Sequence, residues 1–189
     1  MIKIGILGDI GSGKSYVARN FGYPVFNADH EVAQLYQHNK KIFTSLKKSL
    51  PKFFHSFPIK KVEISNAILA NKNNLNKIIK IVHTEVRKKM NLFLKKNKNK
   101  KIVILDIPLL LENKINKKKD ILVFVQTKKL EIAKRLKKRE NFNQKLLKKF
   151  KSIQYSTNYK KKKSDYIIKN NFTKKSVNNG IRNILKEIT

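Results

Sequence analysis

The chain contains no cysteine. That excludes disulfides, cysteine nucleophiles and thiolate zinc sites, and it fits a protein of the reducing cytosol. No apolar run approaches the ~18 residues that a membrane-spanning helix needs. Met1-Ile2-Lys3-Ile4 leads straight into strand-like sequence without a signal-peptide pattern. Acidic residues are few, 12 against 45 lysines and arginines, which leaves a net charge of +33. Arginine is scarce as well: Arg19, Arg87, Arg135, Arg139 and Arg182 are the whole set, so the basicity is almost all lysine. Proteins that read nucleic acid lean on arginine and on exposed aromatic rings. Here lysine rises together with 21 asparagines and 23 isoleucines, three residue types with AT-rich codons, which marks a biased genome rather than a partner. The expectation is no specific nucleic-acid partner, with any binding by charge alone weak and salt-sensitive.

What is present is a chain of 189 residues, 40% of them apolar, enough for a core. Short apolar runs alternate with helical patterns. Ile2 to Leu7, Val25-Phe26, Ile102 to Leu105, Ile121 to Val125 and Tyr166-Ile167-Ile168 read as five strands. Strands separated by helices imply an α/β fold built on a parallel sheet. Residues 39–100 lack strand signal and read as a helical insertion, and 140–163 is a lysine-dense helical stretch with Leu146, Leu147, Phe150 and Ile153 on one stripe.

One stretch carries chemistry. Gly8-Asp9-Ile10-Gly11-Ser12-Gly13-Lys14-Ser15 fits G-x-x-x-x-G-K-[ST] and lies between the first strand and a helical pattern with Val17, Ala18 and Phe21 on one face. Gly11 and Gly13 permit positive φ, so that backbone N–H groups turn inward around phosphate oxygens. Lys14 then reaches the β- and γ-phosphates, and the Ser15 hydroxyl is placed for Mg²⁺. Two acids stand at strand ends, where ligands sit in open α/β sheets. Asp106 closes the most apolar strand and suits Mg²⁺; the alternative is a strand-end turn residue. Asp29 follows the second strand, either as a catalytic carboxylate or as the N-cap of the next helix. His83 shares a helical face with Arg87, and no histidine stands at metal-ligand spacing.

Taken in order, these pieces resemble the dephospho-coenzyme A kinase family over nearly the whole chain. The resemblance runs through the Ile6–Ser15 loop, Val25-Phe26-Asn27-Ala28-Asp29, Leu75-Asn76 with His83, Asp106-Ile107-Pro108-Leu109-Leu110-Leu111-Glu112, Arg135-Leu136 with Arg139, Gln154 with Lys160, and Ser164 to Asn171. It implies a five-stranded P-loop core over about 1–38, 101–139 and 164–189, a helical substrate-binding insertion over about 39–100 and a lid over about 140–163. It also implies transfer of the ATP γ-phosphoryl group to the ribose 3′-hydroxyl of dephospho-coenzyme A, with ATP and Mg²⁺, by a cytoplasmic monomer with no membrane partner. The implied catalytic residues are Asp29, Lys14 and Arg139. Gly11, Ser12, Gly13, Lys14, Ser15 and Tyr16 would hold the nucleotide, Asp29, His83 and Lys160 the second substrate, and Ser15 and Asp106 the metal. The chain departs from the family pattern at Tyr16, Thr84, Ile132 and Phe150. Rival readings are another P-loop small-molecule or nucleotide kinase, and a nucleic-acid-associated ATPase. No helicase or sensor motif follows the fourth strand, and five arginines are few for a nucleoside monophosphate kinase.

Overall fold

The computed structural model describes residues 1–140 and 142–189, with the backbone alone at position 72. The chain divides into two compact units: Met1–Asn27, Asn97–Phe142 and Gln154–Thr189 form one, and Ala28–Lys96 with Asn143–Ile153 the other.

In the first unit, β1 (Ile2–Gly8), β2 (Val25–Asn27), β3 (Ile102–Asp106), β4 (Ile121–Gln126) and β5 (Tyr166–Lys169) form a sheet of order β2-β3-β1-β4-β5. Every pair is parallel, with Ile4 opposite both Ile104 and Ile121, Asn27 opposite Asp106, and Val125 opposite Ile168. All five residues of β3 are buried, the pattern of a strand covered on both faces. The helices α1 (Lys14–Asn20) and α9 (Lys174–Ile188) cover one face. Val17, Ala18, Phe21, Val177, Ile181 and Ile184 pack there with Ile4, Ile6, Ile102, Ile104, Val123 and Ile168. The register brings the ends of β1, β2 and β3 to one edge, which is the C-terminal edge of the sheet. The expected α/β architecture with five parallel strands is what the structure shows.

The second unit is helical: α2 (Ala28–His38), α3 (Lys40–Ser49), α4 (Lys61–Ala70), α5 (Lys72–Lys96) and, after the chain returns, α7 (Gln144–Ser152). Leu75, Ile78, Val82 and Val86 recur at three- and four-residue intervals along α5 and are buried, which is the stripe that lets α2, α3 and α4 pack on it. Asn39 caps α3 by accepting from the Ile42 N–H at 3.1 Å, and Asn143 caps α7 by accepting from Leu146 at 3.0 Å.

Two segments near the expected boundaries fall as follows. Helix α2 belongs to the helical unit. The stretch 140–163 is divided: α7 packs on α4, whereas α8 (Thr157–Lys162) packs on β1. On α7, Leu146 and Leu147 are half-buried, whereas α8 buries Lys160. Among the described residues no helix is long and apolar enough to cross a membrane.

Candidate active site

The loop between β1 and α1 is shaped by its glycines. Gly11 and Gly13 lie at φ 89° and 91°, in the left-handed region. At Gly13 space forbids a side chain as well, since a Cβ there would collide with the Asn170 amide nitrogen. The Ser12 N–H donates to the Asp9 carbonyl at 3.1 Å, which closes the turn.

Two side chains from neighbouring strand ends fix this loop from behind. Thr127, just past β4, donates its hydroxyl to the Ser12 carbonyl at 2.9 Å, and Asn170, just past β5, donates its amide to the same oxygen at 2.8 Å. A trans peptide places the following N–H opposite its carbonyl. Holding the Ser12 carbonyl against Thr127 and Asn170 therefore aims the Gly13 N–H away from them. Ser12 itself is 1% exposed, and its hydroxyl has no hydrogen-bond partner among the described residues. The Lys14 ammonium folds back over the loop and donates to the carbonyls of Gly8 at 3.1 Å and Asp9 at 3.0 Å. Gly13 is the N-cap of α1 and has no side chain to satisfy the first helical N–H groups. Ser15 and Tyr16 follow in the first turn, and the Tyr16 ring packs against the core.

Asp106 ends β3 and is 3% exposed. Its register partner Asn27 donates its amide to one carboxylate oxygen at 2.6 Å. A buried carboxylate at the C-terminal edge, steadied by a neutral donor, is suited to a hard cation. Asp29 lies two residues past β2. It is exposed and is the second residue of α2, so the N-cap position belongs to Asn27 and that part of the sequence reading is corrected. Arg139 is exposed, just beyond α6 (Lys129–Lys137).

His83 lies half-buried on α5. Burial, and then the charge of Arg87 one turn on, hold its imidazole below the ordinary histidine range, so it is neutral near pH 7. Lys160, expected at substrate phosphates, is buried on α8: its ammonium is 3.3 Å from an Asp9 carboxylate oxygen and 3.3 Å from the Gln154 amide oxygen.

The sequence left several contributors unassigned, Asn27 among them. Thr127, Thr157 and Phe172 carried no signal, and Asn170 appeared only inside a matching run. Phe172 lies at φ 65° and holds its ring 4.4 Å from the Arg135 guanidinium, a flat cationic stack next to Gly13.

A parallel sheet of this order, with a glycine loop running from its central strand into a helix and a lysine and serine opening that helix, defines a P-loop kinase. The chain belongs to the dephospho-CoA kinase family, whose model matches residues 2–176. A dephospho-CoA kinase from Wolbachia pipientis wMel is 34% identical over 190 residues, spanning 98% of this chain and 97% of that one. TT1252 from Thermus thermophilus is 25% identical and superposes with a TM-score of 0.76 over 100% of this chain and 98% of its own. The dephospho-CoA kinase from Campylobacter jejuni, at 22% identity, shares the fold with a TM-score of 0.59 over 99% of this chain and 97% of its own.

Proposed function

We propose that the chain transfers the γ-phosphoryl group of ATP to the ribose 3′-hydroxyl of dephospho-coenzyme A, giving coenzyme A and ADP, as a monomer in the cytoplasm. The observation that carries this reading is the braced loop, with Ser12 held by Thr127 and Asn170 and the Lys14 ammonium resting on it, in a chain of this family. Backbone N–H groups from Gly11 to Tyr16 cradle the phosphates. Lys14 exchanges its carbonyl partners for β- and γ-phosphate oxygens and follows the transferring group as its charge develops. The Arg135–Phe172 stack offers a flat face to the purine.

The Ser15 hydroxyl and the Asp106 carboxylate fit Mg²⁺, which needs only one or two protein oxygens when phosphates supply others. Bound there, the ion supplies neutralisation of the phosphate oxygens.

Asp29 takes the proton from the 3′-hydroxyl as the new oxygen–phosphorus bond forms. The bond from the γ-phosphorus to the β,γ-bridging oxygen breaks, and the electron pair leaves with ADP. Arg139 clamps phosphate oxygens with its planar fork. Lys160, buried with its ammonium 3.3 Å from Asp9, acts on the substrate phosphates through that carboxylate. His83, neutral at working pH, donates or accepts a hydrogen bond at the acceptor without adding charge.

ADP release with dephospho-coenzyme A, adenosine monophosphate and single-stranded DNA as separate additions tests the reading. Release with dephospho-coenzyme A alone is expected. Release with adenosine monophosphate would favour a nucleotide kinase, and DNA-stimulated release a nucleic-acid ATPase.

A further inference from the structure

Lys160 opens a run of four lysines and is 2% exposed, whereas Lys161, Lys162 and Lys163 are exposed. A buried ammonium demands a counter-charge. Asp9 supplies it, 3.3 Å away, and Gln154 and the Gly8 carbonyl, at 3.3 and 3.5 Å, take further protons of the same group. The second oxygen of Asp9 accepts from the Thr157 hydroxyl at 2.8 Å. Ser156 caps α8, and the Tyr155 N–H donates to Glu112 at 2.8 Å, so the start of this helix is itself held. Helix α8 is thus fastened to the second residue of the phosphate loop by an ion pair and a hydrogen bond.

Asp9 is an odd residue for that loop. A carboxylate within a cradle for phosphate anions repels the ligand unless its charge is cancelled. We propose that Asp9 and Lys160 are one positioning pair. Lys160 acts on the nucleotide through Asp9, cancelling its charge and fixing the entrance of the loop, so that polyphosphate affinity depends on the two residues jointly. This deepens the functional reading above and rests on its claim that the loop binds ATP.

The pair has a signature that simple loop damage lacks. With Lys160 removed, the bare carboxylate faces the phosphates, and the penalty grows with ligand charge. With Asp9 neutralised, the cation stands unopposed: the fold is less stable, but ATP binding is not weakened. With both removed, the charge balance returns.

The test is equilibrium binding of ATP, ADP and AMP to the full chain and to Lys160→Met, Asp9→Asn and the double variant, with a thermal melt of each. Lys160→Met should weaken ATP at least about tenfold, ADP less, and AMP within about twofold. Asp9→Asn should melt lower and bind ATP no more weakly than the parent, and the double variant should recover ATP affinity to within about threefold. A double variant as weak as Lys160→Met would overturn the pairing, as would an equal loss for all three nucleotides or no loss at all. Should Lys160→Met not fold, Asp9→Asn alone decides, because a tenfold loss of ATP affinity there contradicts the proposal. A parent chain that binds none of the three nucleotides overturns this inference and the functional reading together; the other failures leave that reading standing.

Discussion

The sheet unit and the helical unit use their polar groups in opposite ways. In the sheet unit, polar side chains from strand ends and from α8 hold specific partners: Thr127 and Asn170 on the Ser12 carbonyl, Asn27 on Asp106, and Lys160 and Thr157 on Asp9. All but the Asn27–Asp106 pair brace the glycine loop. In the helical unit Glu63 is densely hydrogen-bonded, and it faces the protein. One carboxylate oxygen accepts from the His55 and Ser56 N–H groups at 2.8 and 3.1 Å, and the other from the Lys60 N–H at 3.0 Å and the Ser56 hydroxyl at 3.2 Å. Burial pushes its carboxyl up, but these hydrogen bonds outweigh it and hold the group below the usual range. The lesson is that dense hydrogen bonding around an acid does not by itself mark a site: around Glu63 it only ties the 55–60 segment to α4.

Asp29 is the sharpest challenge to that contrast, because it lies in the helical unit and is proposed to do chemistry. Asp29→Asn should keep the fold and ATP affinity yet lose roughly 10²–10⁴ in single-turnover rate, the range for a general base. A purely structural Asp29, in the first turn of α2, would show only the helix-dipole effect of about 0.3–1 kcal/mol in stability, with wild-type chemistry.

Lys14→Ala should lower kcat by roughly 10²–10³ through loss of one donor to the developing charge. Melting temperature should change far less than turnover, since the Lys14 bonds to Gly8 and Asp9 go to part-buried loop carbonyls outside the apolar core. Near-normal turnover would mean that the sheet unit's loop is not the phosphate site.

Glu63→Gln tests the other side of the comparison. The amide nitrogen would meet the Lys60 N–H as donor against donor, which costs about 1–3 kcal/mol. ATP affinity should be unchanged. Because the folded carboxyl titrates below its unfolded value of roughly 4.3, its contribution is present above that pH and is lost as pH falls through the lower, folded value. The parent should therefore lose stability on acidification by a component that the Gln variant lacks. Identical pH dependence in the two would contradict this.

The smallest effect is expected at Arg139. Arg139→Lys keeps the charge but loses the planar fork, and should raise the KM for ATP by roughly threefold to tenfold. Unchanged kcat and KM would remove Arg139 from the phosphates.

The loop, the five strands and the place of Asp106 at the end of β3 were legible because each is a local pattern: glycines at fixed spacing, and apolar runs, one of them ending in an acid. The remaining features depend on packing. Lys160 is one of four identical neighbours in sequence, and only the phase of α8 against β1 turns it inward. Glu63 reads as a solvated helical residue until the 55–60 segment folds back over it. Thr127 and Asn170 are ordinary strand-end residues whose register alone brings both to Ser12. The start of α2 at Ala28, one residue before Asp29, is a boundary that periodicity does not resolve.

The central claim is that the chain phosphorylates the ribose 3′-hydroxyl of dephospho-coenzyme A. The direct measurement is to supply ATP labelled in its γ-phosphoryl group together with dephospho-coenzyme A and locate the label in the product by phosphorus NMR. The account predicts one labelled phosphate per product molecule, on the 3′-oxygen, with an equal amount of ADP. Label on any other oxygen, or ADP formed with free phosphate and no labelled coenzyme, would contradict it.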